Sequence, residues 1–132
     1  MAEAIAKGIE NQGVKCKLYN SSVTDISDLV TELFCSKGII LGSCTIHNSY
    51  LRSLAGVLAE IKVHRFKKKI GAAFGSSGWS NAAPENLNEQ LKDAGINVVL
   101  EPLGLKFVPT PEDIERCIKY GEEFALKVKE NM

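Results

Sequence analysis

The sequence predicts an α/β fold: a parallel sheet with helices on both faces, three layers in all. Two observations carry that prediction. Helix-like and strand-like patterns alternate along the 132 residues. Two of the strand-like runs, Gly38-Ile39-Ile40-Leu41 and Ile70-Gly71-Ala72-Ala73-Phe74, are apolar without interruption, which is how a strand covered on both faces reads. Alternation at this spacing builds βαβ units rather than hairpins.

Taken in order, Ala2 to Asn11 has apolar residues at helical spacing, and Gly13 stops it. Val14-Lys15-Cys16-Lys17-Leu18-Tyr19 alternates with period two, which predicts an edge strand with one wet face. After the loop at Asn20-Ser21-Ser22, Asp25 or Ser27 caps a helix to about Cys35, with Leu29, Val30, Leu33 and Phe34 on its buried face. The strand ending at Leu41 leads into a polar loop, Gly42 to Ser49. Leu51 to Ile61 carries an apolar stripe and reads as helix. Lys62, Arg65, Lys67, Lys68 and Lys69 then form a basic stretch, read as a solvated turn with His64 exposed within it. The second apolar strand ends in Gly75 to Ser80. Glu85 to Ala94 is helical and stops at Gly95, and Ile96 to Leu100 is a strand. Leu103 to Val108 is extended and bounded by prolines. Thr110-Pro111-Glu112-Asp113 opens the last helix with an N-cap, a proline in the first turn and an acid three residues past the cap. The expected inventory is four strands and five helices in one domain over 1–132.

Composition excludes several functions. Lys and Arg number 16, as do Asp and Glu, so the formal net charge is zero, without the excess of basic charge that nucleic-acid binding uses. No apolar run approaches the roughly 18 residues of a membrane span, and Met1 to Lys7 lacks the pattern of a secretory signal. Cys16, Cys35, Cys44 and Cys117 have no zinc spacing and read as reduced thiols of a cytoplasmic protein. His47 and His64 are the two histidines, too few and too far apart for a di-iron site. A phosphoacceptor needs an Asp where Gly42-Ser43-Cys44 stands, and no serine hydrolase elbow is present. Asp25 and Asp28 are explained by capping.

Function in such a fold sits at the C-terminal ends of the strands. There Gly42 to Ser49 is small and polar, and Gly75 to Ser80 sets small residues beside the one tryptophan, Trp79. From this pattern Trp79 either packs over the sheet end or stacks on a planar ligand whose edge meets backbone N–H groups.

Gly42-Ser43-Cys44-Thr45-Ile46-His47-Asn48 and Ala73-Phe74-Gly75-Ser76-Ser77-Gly78-Trp79-Ser80 resemble two flavin-binding loops of the flavodoxin-like domain of flavo-diiron proteins, which reduce oxygen or nitric oxide. The likeness extends through Leu18-Tyr19, Val23-Thr24-Asp25, the strand entry from Lys67 to Phe74, and Val108 to Asp113, and covers essentially the whole chain. The resemblance implies a flavodoxin-like three-layer sandwich and FMN held non-covalently. Ser43, Cys44, Thr45, Ile46, His47 and Asn48 would line one edge of the flavin ring, with side-chain contacts from Thr45 and Asn48. Gly75, Ser76, Ser77, Gly78, Trp79 and Ser80 would cover the ring, with Trp79 as its aromatic neighbour. The implied partners are a redox protein or a separate di-iron domain.

The chain departs from the family at Cys44, usually Pro; at Ser77, usually aromatic; and at Asn81, often Gly. The resemblance also begins inside the family's first helix, so its first strand and phosphate loop fall outside the chain. The expectation is weakened FMN binding. A buried strand of five or six apolar side chains is worth on the order of 10 kcal/mol, against a net stability of about 5–15 kcal/mol for a domain. Three arrangements answer this: the Val14 and Ile39 strands pair directly, two chains associate as a homodimer, or the chain is part of a longer protein. Two functions stay open, an FMN electron-transfer module and a cofactor-free remnant acting through self-association or partner binding.

Overall fold

The computed structural model describes residues 1–44, 50, 52–66, 68–77, 82–106 and 109–131, Ser77 by its backbone. The elements run α1 (Ala2–Asn11), α2 (Ile26–Cys35), β1 (Gly38–Cys44), α3 (Arg52–His64), β2 (Ile70–Ser77), α4 (Ala82–Asp93), β3 (Asn97–Val98), β4 (Leu103–Lys106) and α5 (Pro111–Glu130).

Local chemistry sets the helix ends. The Asp25 carboxylate accepts from the Ser27 N–H at 3.1 Å and from its hydroxyl at 3.0 Å, which starts α2. At α5 the Asp113 N–H donates to Thr110 Oγ1 at 3.2 Å while the Thr110 N–H donates to Asp113 Oδ2 at 3.0 Å, a reciprocal cap. Gly13 and Gly95, past the ends of α1 and α4, take φ of +77° and +88°, a left-handed conformation that costs glycine little.

All ladders among the described residues are parallel and all run through β2, which pairs β1 on one side and both β3 and β4 on the other. Side chains alternate across the sheet and build two cores. Leu33, Ile39, Leu41, Ile61, Leu87 and Leu91 belong to one, under α2, α3 and α4. Ile5, Ile9, Ile70, Leu105 and Phe124 belong to the other, under α1 and α5. On that second face α1 and α5 meet at two glycines. A Cβ on Gly8 would run into the carbonyl oxygen of Ile118, and one on Gly121 into that of Ile5.

The far edge of the sheet is broken by a bulge. From Gly71↔Val98 to Phe74↔Leu103, β2 advances three residues while the edge advances five, so two residues are extruded. Along that edge Lys69 O accepts from the Asn97 N–H at 3.0 Å and Gly71 O from the Val99 N–H at 3.1 Å. At Ala73 the acceptor is met instead by the Tyr120 hydroxyl, at 3.1 Å, which also lies 2.7 Å from Glu101 O. Tyr120 thus closes the gap left in the ladder, and burial pushes its hydroxyl pKa up.

Among the described residues the structure has the expected five helices and four strands, but not the same four strands. Val14 to Tyr19 forms no ladder among the described residues. Its period-two pattern survives only in part: Val14 and Cys16 lean on the α1–α5 core, while Leu18 and Tyr19 are exposed. Lys17 instead reaches Glu32 of α2 at 3.0 Å. Alternation reports only what side chains face, whereas a strand also needs a neighbour. The direct pairing with the Ile39 strand is not formed. The Ile70 N–H donates to Lys37 O at 3.2 Å, so in β1 the backbone groups of Gly38, Ile40, Gly42 and Cys44 point to the other edge, where no described strand pairs. Leu103–Lys106 takes the fourth place in the sheet.

Two further expectations are corrected. Phe34 is 59% exposed. It packs edge-on against the rings of His64 and Phe66, at 4.9 and 5.0 Å, rather than on the sheet. The basic stretch is not wholly solvated. Lys69 is buried, donates to the Ser36 carbonyl oxygen and lies 4.9 Å above the Phe66 ring. Burial, and then the nearby Lys37, push its pKa down.

Candidate functional site

The apolar halves of β1 and β2 end at Leu41 and Phe74, yet the ladder runs on through Ser43↔Gly75 and Cys44↔Ser76. Residues expected in loops are therefore strand residues, because each still has a partner to bond. Glycine makes this close pairing workable. The Phe74 ring fills the space a side chain at Gly42 would take. A Cβ on Gly75 would stand 2.5 Å from the Ser43 carbonyl oxygen and 2.9 Å from Pro84 Cδ, so Gly75 lets α4 begin directly over the strand end.

At this end of the sheet Ser43 is buried, with its hydroxyl donating to Cys44 O at 2.6 Å, and the Cys44 thiol is exposed. Ser76 is half-buried. β4 adds a third strand end in register, Ser76↔Leu105 and Ser77↔Lys106. A second loop arrives beside α3: the Ser21 and Ser53 hydroxyls are 2.8 Å apart, and Asn20 Oδ1 holds the Ser22 N–H at 3.0 Å.

Five of the expected contact residues, Ser43, Cys44, Gly75, Ser76 and Ser77, are thus brought side by side on adjacent strand ends. Thr45, Ile46, His47, Asn48, Gly78, Trp79 and Ser80 lie outside the described residues, as does Asn81. The sequence reading missed Lys106, an exposed cation in register with Ser77. Its signal was the alternation Leu103-Gly104-Leu105-Lys106, which ends where β2 ends.

The described part of this site fits a flat ring held by backbone groups. Its side chains are no larger than Ser or Cys at positions 43, 44, 75 and 76, and exposed Cys44 and half-buried Ser76 leave little side-chain bulk between a ligand edge and the main chain there. Among the described residues no group of three or more His, Cys, Asp or Glu is placed to hold a metal. No described helix is long and apolar enough to cross a membrane.

The chain matches the model of the flavodoxin family over residues 1–121. It is 38% identical over 127 residues to an anaerobic nitric oxide reductase flavorubredoxin of Aeromonas hydrophila, covering 95% of this chain and 26% of that protein. It superposes on rubredoxin oxygen:oxidoreductase of Desulfovibrio gigas with a TM-score of 0.93 at 32% identity, covering 98% of this chain and 32% of that one. A flavodoxin from the domain Archaea gives a TM-score of 0.83 at 31% identity, with 96% and 87% covered. The chain therefore spans about a quarter of the curated relative's length and most of the length of a free-standing flavodoxin.

Proposed function

The chain belongs to the flavodoxin family, and on that premise we propose that residues 1–132 form one FMN-binding electron-transfer module serving a di-iron oxygen or nitric oxide reductase. The observation that carries this reading is the pairing of the two small, polar strand ends, Ser43↔Gly75 and Cys44↔Ser76. FMN, when bound, supplies the redox chemistry. The chain's part is to hold and shield the ring. The 43–44 and 75–77 backbone presents N–H and C=O groups to the ring edge, Thr45 and Asn48 add side-chain contacts, and Trp79 covers a face. Lys106, exposed beside Ser77, places a cation at that end. The di-iron domain of a larger protein, or a separate redox partner, is the acceptor that such a module would serve.

A visible absorbance titration with FMN tests this, with Trp79 fluorescence followed in parallel. Shifted flavin bands with quenching that saturates at micromolar FMN support the reading. No shift at millimolar FMN overturns it.

One observation favours a second reading. The outward edge of β1 and the Val14 to Tyr19 segment, neither met by a strand among the described residues, suit a cofactor-free chain that associates through that edge. Failure of the titration together with dimers in sedimentation supports this alternative.

A further inference from the structure

Gly38, Ile40, Gly42 and Cys44 turn their backbone N–H and C=O groups away from β2, and no described strand meets them. This edge differs from an ordinary sheet edge because helices cover both of its faces. Ile39 and Leu41 share a core with Leu33 of α2, and Leu29 packs against it. Ile40 packs on the α1–α5 core of the opposite face. Backbone groups between two apolar layers need a partner in the sheet plane.

Val14 to Tyr19 shows where that partner fits. Val14 and Cys16 lean on the α1–α5 core, and Lys17 reaches Glu32 of α2 at 3.0 Å. The segment thus touches both helical layers, as a strand of the sheet would, yet it forms no ladder among the described residues. Val14, Cys16 and Ile40 lean on the same core and are all only half-buried, as is Leu29 on the other face. Half-buried apolar side chains of both layers therefore border the open edge.

We infer that the open edge of β1 takes one extended peptide segment of another polypeptide, uncharged, apolar on both faces and parallel to β1. The ladder already present identifies this occupant. In parallel pairing each bonding residue gives its N–H to one β1 carbonyl and takes the N–H two residues on. Gly38 with Ile40, Ile40 with Gly42, and Gly42 with Cys44 offer three such positions, which a run of about five residues fills. Side chains of that run point alternately into the two cores, so a polar or charged one would be buried without a partner. A strand added to an exposed edge alternates apolar with polar residues; here both sets are apolar. Binding of this segment does not rest on the flavin reading, and FMN is left out of its test.

The test uses the full chain, ¹⁵N-labelled, titrated with the end-capped peptide Lys-Lys-Val-Ile-Val-Ile-Val-Lys-Lys. Saturable shifts are expected in β1 and in 14–19 together. At saturation amide exchange slows at least about tenfold at Ile40, Gly42 and Cys44, and changes less at Ile39, Leu41 and Ser43, which already bond to β2. A second peptide with serine in place of both isoleucines, apolar on one face only, binds at least about tenfold more weakly. A nitroxide on the C-terminal lysine broadens Gly42 and Cys44 before Gly38. The inference is overturned if no shift saturates, if 14–19 is untouched, or if the serine peptide binds as well. Protection at the wrong alternate set, or broadening in the reverse order, also overturns it. So does a dimer in sedimentation that the peptide fails to dissociate, because a second copy then holds the edge.

Discussion

On one face of the sheet α1 and α5 meet backbone to backbone, at Gly8 and Gly121. On the other, α2 is held through side chains: among its described residues only Leu33 is buried, and Ile26, Phe34 and nearby Val63 are exposed. The difference lies in what sets the spacing. Carbonyl groups cannot be repacked, so the α1–α5 distance is fixed by an absence of atoms. The α2–α3 distance is set by rotatable side chains and tolerates additions.

The same glycine-to-alanine change should therefore have opposite signs on the two faces. Gly121→Ala is expected to cost roughly 2–4 kcal/mol, since the new methyl runs into the Ile5 carbonyl and one helix must shift. The urea midpoint measures it, and an unchanged midpoint would break the comparison. Tyr120→Phe should cost about 1–2 kcal/mol by leaving Ala73 O unmet, with faster amide exchange in 99–102 marking the loosened bulge. Gly56→Ala, exposed on α3 and 3.7 Å from Ile26 Cδ1, should stabilise by about 0.5–1 kcal/mol through helix propensity alone.

The smallest expected effect concerns the caps, where the faces should behave alike. Backbone hydrogen bonds, from Ser27 to Asp25 and from Thr110 to Asp113, hold both carboxyls below their ordinary 3.8. A depressed carboxyl contributes stability above its unfolded pKa and loses it as pH falls through the folded value. Asp25→Asn with Asp113→Asn should flatten the acid limb of the stability curve below about pH 4, read by thermal midpoint against pH. An acid limb that keeps its slope would show that other groups control it.

Features written in consecutive residues were legible in the sequence. The caps at Asp25 and Thr110, the stops at Gly13 and Gly95, and the helices and buried strands all appear about where the pattern sets them. Features that depend on a distant neighbour were not. Val14 to Tyr19 has the pattern of a strand but no strand beside it, whereas Leu103–Lys106 joins the sheet because β2 is there to receive it. Ser43, Cys44, Gly75 and Ser76 look like loop because they are small and polar, yet each strand extends the other. Gly8 and Gly121 look like weak points in helices until the opposing carbonyls are seen. At the candidate site, the sequence named the strand ends and the structure brings five of its residues together. Lys106 enters only through the register.

Every ladder among the described residues passes through β2, and this sets a timetable during synthesis. As the chain emerges, β1 has no described partner for its ladder until residues 70–77 follow it. Until then the apolar run at Ile39 to Leu41 lacks the ladder that β2 gives it, an exposed interval of the kind on which chaperones act. Once β2 emerges, β1 can pair at once, and β3 and β4 join in the order they are made. The ribosome therefore delivers the middle of the sheet before its far edge, and a pause before residue 70 should lengthen the exposed interval more than a pause after residue 77.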